Sequence, residues 1–345
     1  MSTTKITQVH ISSRMEQAYG AFMGAAVGDA AGATLEFFRK GITEEIALNA
    51  MTMPGGGQLQ VGKGQFTDDT ECAIEGLAFG LYDKDPALGF PVEDVAQGYS
   101  KWYHSRPFDM GGTCSKAFST DHKQEGLLSN RMMKNAAKLS IVSEANGALM
   151  RCCPIAIWSV GEDISVIAHN AKLDAMLSHP SQVCQDCNVI VVLAIEYLIR
   201  NPGDFNGAID YLDNYVTFNI HTNKVRDWYF KDSLDISELD CSKQIGWVKW
   251  GFVMAIYYLR NNTPYEIAIK EVLMKGGDTD TNAAICGSVL GALGINGIPK
   301  YMLEPVLAFD PTNPDKGHKR PAKYSASNIY GLTYQLLTHE IAKKR

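Results

Sequence analysis

Four glycines stand at strict four-residue spacing between Met15 and Gly32: Gly20, Gly24, Gly28 and Gly32. The segment reads as a helix, so all four fall on one face and leave it bare. Glycine inside a helix costs roughly 0.5–1 kcal/mol relative to alanine, so four on one face imply a gain elsewhere, most simply another backbone packed very close. Gly287 and Gly291 form a similar stripe far downstream. Contact between these two helices would bring the chain ends together. Glu16 and Asp29 exclude a membrane dimerisation motif.

Further helical patterns run from Asp69 to Leu81, from Ser181 to Ile199 and from Gly246 to Leu259. The last is apolar nearly all round and is expected to be central. Alternating strand patterns are scarce and no βαβ rhythm appears, so the sequence predicts an all-α fold. We read a flexible segment over residues 1–14 and one compact catalytic domain over 15–345, with a polar surface excursion from Arg226 to Lys243.

The composition, 46% hydrophobic and 20% charged over 345 residues, is that of a globular protein with a sizeable core. A net charge of −6 argues against duplex nucleic acid as a partner. No secretory signal pattern opens the chain, and no apolar run reaches the roughly 18 residues of a membrane span. A cytoplasmic monomer is expected. The eight cysteines therefore read as reduced core thiols, and one CxxC, Cys184 to Cys187, is too little for a zinc site.

Chemistry concentrates in two acidic clusters, Thr67-Asp68-Asp69-Thr70 and Gly276-Gly277-Asp278-Thr279-Asp280-Thr281. Each is followed by an Ala-rich helical pattern, and contact of the glycine stripes would place both at one end of the helix pair. Either cluster alone reads as an ordinary helix cap. Four converging carboxylates, however, need hard cations or raised pKa values. Oxygen-only ligands with threonine hydroxyls suit two Mg²⁺ or Mn²⁺ ions better than zinc. An EF-hand is excluded because Ala283 stands where its glycine belongs and Val289 where its glutamate belongs. A P-loop over Gly57 to Gly64 fails because Gly64 occupies the Ser/Thr position. That glycine-rich stretch reads as a surface loop or a cover over the acidic residues.

The strings from Gly24 to Phe37, Phe66 to Thr70, Pro107 to Gly111, Asn146 to Arg151 and Gly276 to Ala284 together resemble the ADP-ribosylglycohydrolase family. The arginine-processing, dinitrogenase reductase-activating branch is the most similar. The resemblance implies an all-α fold, a binuclear Mg²⁺ or Mn²⁺ centre and hydrolysis of the bond joining ADP-ribose to a protein side chain. It assigns Thr67, Asp68, Asp69, Asp278, Asp280 and Thr281 to the metals, with Asp69 and Glu36 also catalytic. Asp109 would face the guanidinium of the leaving group. Asn146, Gly147, Arg151 and His179 are expected near the nucleotide, and Gly276 and Gly277 beside the substrate. The expected partner is an ADP-ribosylated protein or a small molecule containing ADP-ribose. Serine-linked or O-acetyl-ADP-ribose, phosphate esters and an inactive, crystallin-like role are the alternatives.

Overall fold

The computed structural model describes residues 2–38, 40–120 and 125–338. Among them the regular elements are helical, and the pairing outside helices consists of two isolated bridges, Gly56 with Val61 and Ala145 with Trp247. The first helices are α1 (Ser2–Gly32), α2 (Glu44–Met51), α3 (Asp68–Cys72), α4 (Phe79–Leu81), α5 (Val92–His104), α6 (Gly112–Phe118) and α7 (Leu128–Leu139). There follow α8 (Cys153–Trp158), α9 (Ile164–Met176), α10 (Gln182–Arg200), α11 (Phe205–Asn219) and α12 (Asn223–Phe230). The last group is α13 (Val248–Arg260), α14 (Tyr265–Met274), α15 (Thr279–Gly291), α16 (Lys300–Ala308) and α17 (Ile329–Thr338).

The two glycine stripes meet. A Cβ on Gly20 would overlap the carbonyl of Gly291, one on Gly24 that of Gly287, one on Gly28 that of Ala283, and one on Gly32 the backbone of Asp280. α1 and α15 therefore run antiparallel at backbone contact, and the seam is locked by Tyr265 Oη donating to the Gly24 carbonyl (2.7 Å) and Thr279 Oγ1 to that of Gly32 (2.8 Å). Every residue of α15 is buried. The C-terminal end of α1 lies against the start of α15, which sets Glu36 beside Asp278 and Asp280.

Helices α10 and α13 fall where their periodicity predicts, and both lie in the core. α10 has the length and apolarity of a membrane span, yet it is buried among neighbouring helices. The helix expected from Met15 begins earlier, at Ser2. The helix expected over Asp69 to Leu81 is broken: a π-helical turn, Ala73–Ala78, separates α3 from α4. The Tyr99 ring of α5 lies directly on Gly76, and Gly98 lies on the Glu75 carbonyl, so α5 crosses too close for the backbone to continue regularly. The stretch from Arg226 to Lys243 is better anchored than a surface excursion, since Trp228, Tyr229, Ser233 and Cys241 are buried. All eight cysteines are buried and free.

Candidate active site

Asp29, near the end of α1, organises the first acidic cluster. Its Oδ1 accepts from the Thr67 amide (2.8 Å) and hydroxyl (2.9 Å), and its Oδ2 from the Thr70 amide (3.1 Å) and hydroxyl (2.6 Å). A carboxylate from another helix thus caps α3, and four donors occupy both of its oxygens. Sequence reasoning missed this role because an aspartate within an Ala-rich helix carries no local signal. Burial pushes its carboxyl up to about 7, against the pull of the Thr70 and Thr67 bonds.

The second cluster is turned inward by Gly276 and Gly277, whose φ angles of 69° and 75° suit glycine alone at low cost. A Cβ on Gly277 would also overlap the Cys241 carbonyl. Neither glycine lines the cavity, so their expected place beside the substrate is corrected to a turn that delivers Asp278 to the start of α15.

The structure brings the two clusters together. Oxygens of Glu36, Asp278 and Asp280 lie within 4.8 Å of one another, as do those of Asp29, Asp69 and Asp280. Thr67 Oγ1 lies 2.9 Å from Asp29 Oδ1, 3.0 Å from Asp69 Oδ2 and 3.5 Å from Asp280 Oδ2. One hydroxyl proton cannot serve three carboxylates, so acceptor oxygens face each other here. Glu36 Oε2 and Asp69 Oδ1 are buried with no hydrogen-bond partner among the described residues. Orphaned, oxygen-only donors at this spacing fit a pair of hard divalent cations.

Without such cations the charges cannot coexist. Burial, then Asp109, Asp278 and Asp68, push the Glu36 carboxyl up to about 10. Burial is also the first cause that holds Asp68, Asp69 and Asp280 well above the carboxylate range, followed by Asp109, Asp29 and Glu36 respectively. Asp109 is raised by burial as well; its Oδ1 accepts from the Met110 amide (2.9 Å).

A cavity of about 340 Å³ opens onto this cluster. Glu36, Asp68, Asp109, Asp278, Asp280 and Thr281 line its acidic part, and Asn146, Gly147, Cys114 and His179 line the remainder. Asn146 Nδ2 donates to Asp278 Oδ2 (2.8 Å), and the Gly111 amide to Asp68 Oδ2 (3.3 Å). Gly147 is bare because a Cβ would lie 2.9 Å from Cys114 Sγ and 3.0 Å from His179 Cε1. Thr67 and Asp69 stand behind the wall, buried.

Arg151 is not where it was expected. It is fully buried, and its guanidinium donates to the Gly147 carbonyl (2.8 Å), Ser178 Oγ (2.9 Å) and Asp174 Oδ2 (3.3 Å) with its face on Tyr99. It supports the wall and lines no part of the cavity. His179 does line it; burial and then Arg151 push its imidazole down to about 3. The loop from Gly55 to Gly64 lines no part of this cavity. It packs on Thr34, Pro305 and Lys316, and Gln58 Nε2 donates to the Phe37 carbonyl (3.3 Å), so it braces the turn that carries Glu36.

Residues 11–322 match the family model described as ADP-ribosylglycohydrolase. A putative ADP-ribosyl glycohydrolase of Acanthamoeba polyphaga mimivirus is 29% identical over 84% of this chain and 91% of its own length. The ADP-ribosyl-[dinitrogen reductase] glycohydrolase of Rhodospirillum rubrum is 28% identical over 84% and 89%, and an ADP-ribosylarginine hydrolase of Pseudomonas putida is 25% identical over 85% and 74%. A solved structure titled as an ADP-ribosylglycohydrolase-related protein complex superposes with a TM-score of 0.72 at 21% identity, covering 96% of this chain and 99% of that one.

Proposed function

This chain belongs to the ADP-ribosylglycohydrolase family and is a hydrolase acting on ADP-ribose linkages, and from that premise we propose that it cleaves the N-glycosidic bond between ADP-ribose and an arginine side chain of a modified protein. The observation that carries the reading is the convergence of Glu36, Asp69, Asp278 and Asp280, with orphaned oxygens on Glu36 and Asp69, beside a cavity that also presents Asp109. The name of the Pseudomonas relative supports arginine as the attachment point, and that of the Rhodospirillum relative supports a modified protein as the substrate.

Thr67, Asp68, Asp69, Asp278, Asp280 and Thr281 would hold two Mg²⁺ or Mn²⁺ ions. Bound there, the ions supply neutralisation of the buried carboxylates and Lewis-acid polarisation of a coordinated oxygen. Asn146 fixes the orientation of Asp278, and Asp29 fixes Thr67 and the start of α3. In the neutralised cluster Glu36 is an ionised base, and its free Oε2 takes the proton of the attacking water. The water oxygen bonds to the anomeric carbon while the carbon–nitrogen bond breaks, and that electron pair goes to the guanidine nitrogen. The substrate's guanidinium thereby departs as a neutral guanidine that the Asp109 carboxylate orients, and the proton that Glu36 took from the water passes to it, so that arginine is released as a guanidinium. Products are free ADP-ribose and unmodified arginine.

Incubation of the purified protein with arginine-linked, serine-linked and O-acetyl-ADP-ribose substrates, with and without Mg²⁺ or Mn²⁺, tests this by chromatography of released ADP-ribose. Metal-dependent release from arginine is expected. Release from serine alone would refute the linkage, and undiminished release after full chelation would refute the metal centre.

A further inference from the structure

Residues 317–320 lie between α16 and α17, beyond the last acidic motif, and line no part of the cavity. They nevertheless hold the stretches that carry Glu36, Asp68 and Asp109. The His318 imidazole lies flat on the Phe108 ring, with centroids 4.1 Å apart and planes 6° from parallel, and Phe108 directly precedes Asp109. His318 Nε2 lies 2.7 Å from the Leu59 carbonyl. A carbonyl only accepts, so Nε2 carries the proton and donates. Leu59 adjoins Gln58, whose amide holds the Phe37 carbonyl next to Glu36. On the backbone, the His318 amide donates to Gln65 Oε1 (2.9 Å) and its carbonyl accepts from Gln65 Nε2 (2.8 Å), and Gln65 leads through Phe66 into Thr67 and Asp68. Gly317 is bare because a Cβ there would lie 2.2 Å from the Gly62 amide nitrogen.

Glu36 and Asp109 line the same cavity, and after burial Asp109 is the charge that most raises the Glu36 carboxyl, so the two stand close. Neither sits within a helix: Glu36 lies in the turn after α1, and Asp109 in the loop between α5 and α6. Their mutual placement is therefore set by what packs behind the two loops, and His318 touches both. We propose that His318 is a positioning residue, which holds Asp109 in register with Glu36 through Phe108 on its face and Leu59 at its edge. The departing guanidine and the attacked anomeric carbon are thereby presented in one pose. That catalytic consequence rests on the function proposed above, whereas the clamp rests on geometry alone. An orienting group displaced by about 1 Å can cost a hundredfold in rate, so a residue outside the cavity can govern turnover without touching substrate.

Hydrogen–deuterium exchange of the full-length protein reads the clamp without reference to catalysis, because the amides of Val61, Gly62, Met110 and Gly111 are all hydrogen-bonded. His318→Ala should speed exchange at both pairs by at least about tenfold and leave α13 unchanged. His318→Gln, which keeps a donor but no ring, should loosen Met110 and Gly111 alone; His318→Phe, which keeps a ring but no donor, should loosen Val61 and Gly62 alone. Unchanged exchange in both loops, or loosening that spreads to α13, would overturn the clamp whatever the protein hydrolyses. With arginine-linked substrate, His318→Gln should lower kcat by about tenfold to a hundredfold, while the dissociation constant of ADP-ribose, measured by calorimetry, stays within about twofold. In an Asp109→Ala background the same change should cost less than about twofold, since a residue that acts through Asp109 then has nothing left to place. Equal losses in both backgrounds, or a dissociation constant that moves with kcat, would overturn the positioning role. Wild-type protein that releases no ADP-ribose from any linkage would instead sink the functional reading, and the exchange result still decides the clamp.

Discussion

Helix α3 and the π turn behind it carry four buried acidic residues, and the two pairs have opposite fates. Glu71 receives Arg320 through both oxygens (2.7 and 2.6 Å) as well as Trp102 Nε1 (3.2 Å), and Glu75 receives Lys323 Nζ (2.5 Å). Asp68 and Asp69, a turn earlier, receive no lysine, arginine or histidine among the described residues, nor do Glu36, Asp278 and Asp280. The chain thus gives Glu71 and Glu75 a cationic partner and gives none to the acids of the cluster, of which Glu36, Asp68, Asp278 and Asp280 line the cavity. Under the proposed function a cation from outside would complete that cluster, and the difference then separates paired from unpaired acids along a few residues.

The comparison breaks most visibly on the paired side. Arg320 also donates to the carbonyls of Ser105 (3.0 Å) and Arg106 (3.3 Å), so it ties α3 to the loop that leads to Asp109. Burial outweighs the pairing and keeps the Glu71 carboxyl above its ordinary range, so the pair itself adds little, but an abandoned partner is costly. Arg320→Ala should lower stability by about 3–5 kcal/mol in denaturant unfolding, and the double variant Glu71→Leu, Arg320→Met should recover most of it. A loss under about 1 kcal/mol for the single variant would show that the two kinds of carboxylate are held alike.

On the unpaired side the signs separate. Asp69→Asn should reduce ADP-ribose release by at least about a hundredfold, because an oxygen needed at the reacting centre is lost. The same change should raise the thermal midpoint of metal-free protein by removing a carboxyl that burial and Asp29 push well above the carboxylate range. Saturating Mg²⁺ should stabilise the wild type by about 2–3 kcal/mol near a hundred times its dissociation constant, and the variant far less. A variant destabilised in chelator would mean that Asp69 is already neutralised from within.

How far this contrast was readable in the sequence depends on distance along the chain. The glycine stripes, the two acidic clusters and the all-α pattern announce themselves locally, and their convergence followed from one inferred helix contact. The pairing of Glu71 with Arg320, 249 positions apart, has no local signature. Asp29 looked like any helix residue, although it caps α3. Arg151 was expected near the nucleotide because it closes the Asn146 to Arg151 string that carries part of the family resemblance. Its burial under Tyr99 and its pairing with Asp174 are set by α5 and α9, which the motif does not contain. The π turn likewise arises from the crossing of α5 over Gly76, a tertiary event.

The gentlest test of the comparison is pH. Acids whose folded pKa is raised bind more protons folded than unfolded, so their contribution to stability is full below the unfolded carboxylate range and is lost as pH rises through the folded value. For metal-free protein that window runs from the ordinary carboxylate range upward through about 7 for Asp29 and on toward about 10 for Glu36. Stability in chelator should therefore fall from about pH 5 to pH 8, with a slope near 1.4 kcal/mol per pH unit for each proton the folded state retains. Mg²⁺ competes with those protons for the same oxygens, so saturating metal should flatten the slope or reverse it. Glu71, raised but held by Arg320, gives no such metal dependence. A pH profile identical with and without Mg²⁺ would mean that the cluster carries its protons into the working enzyme, and Glu36 could not then serve as the base.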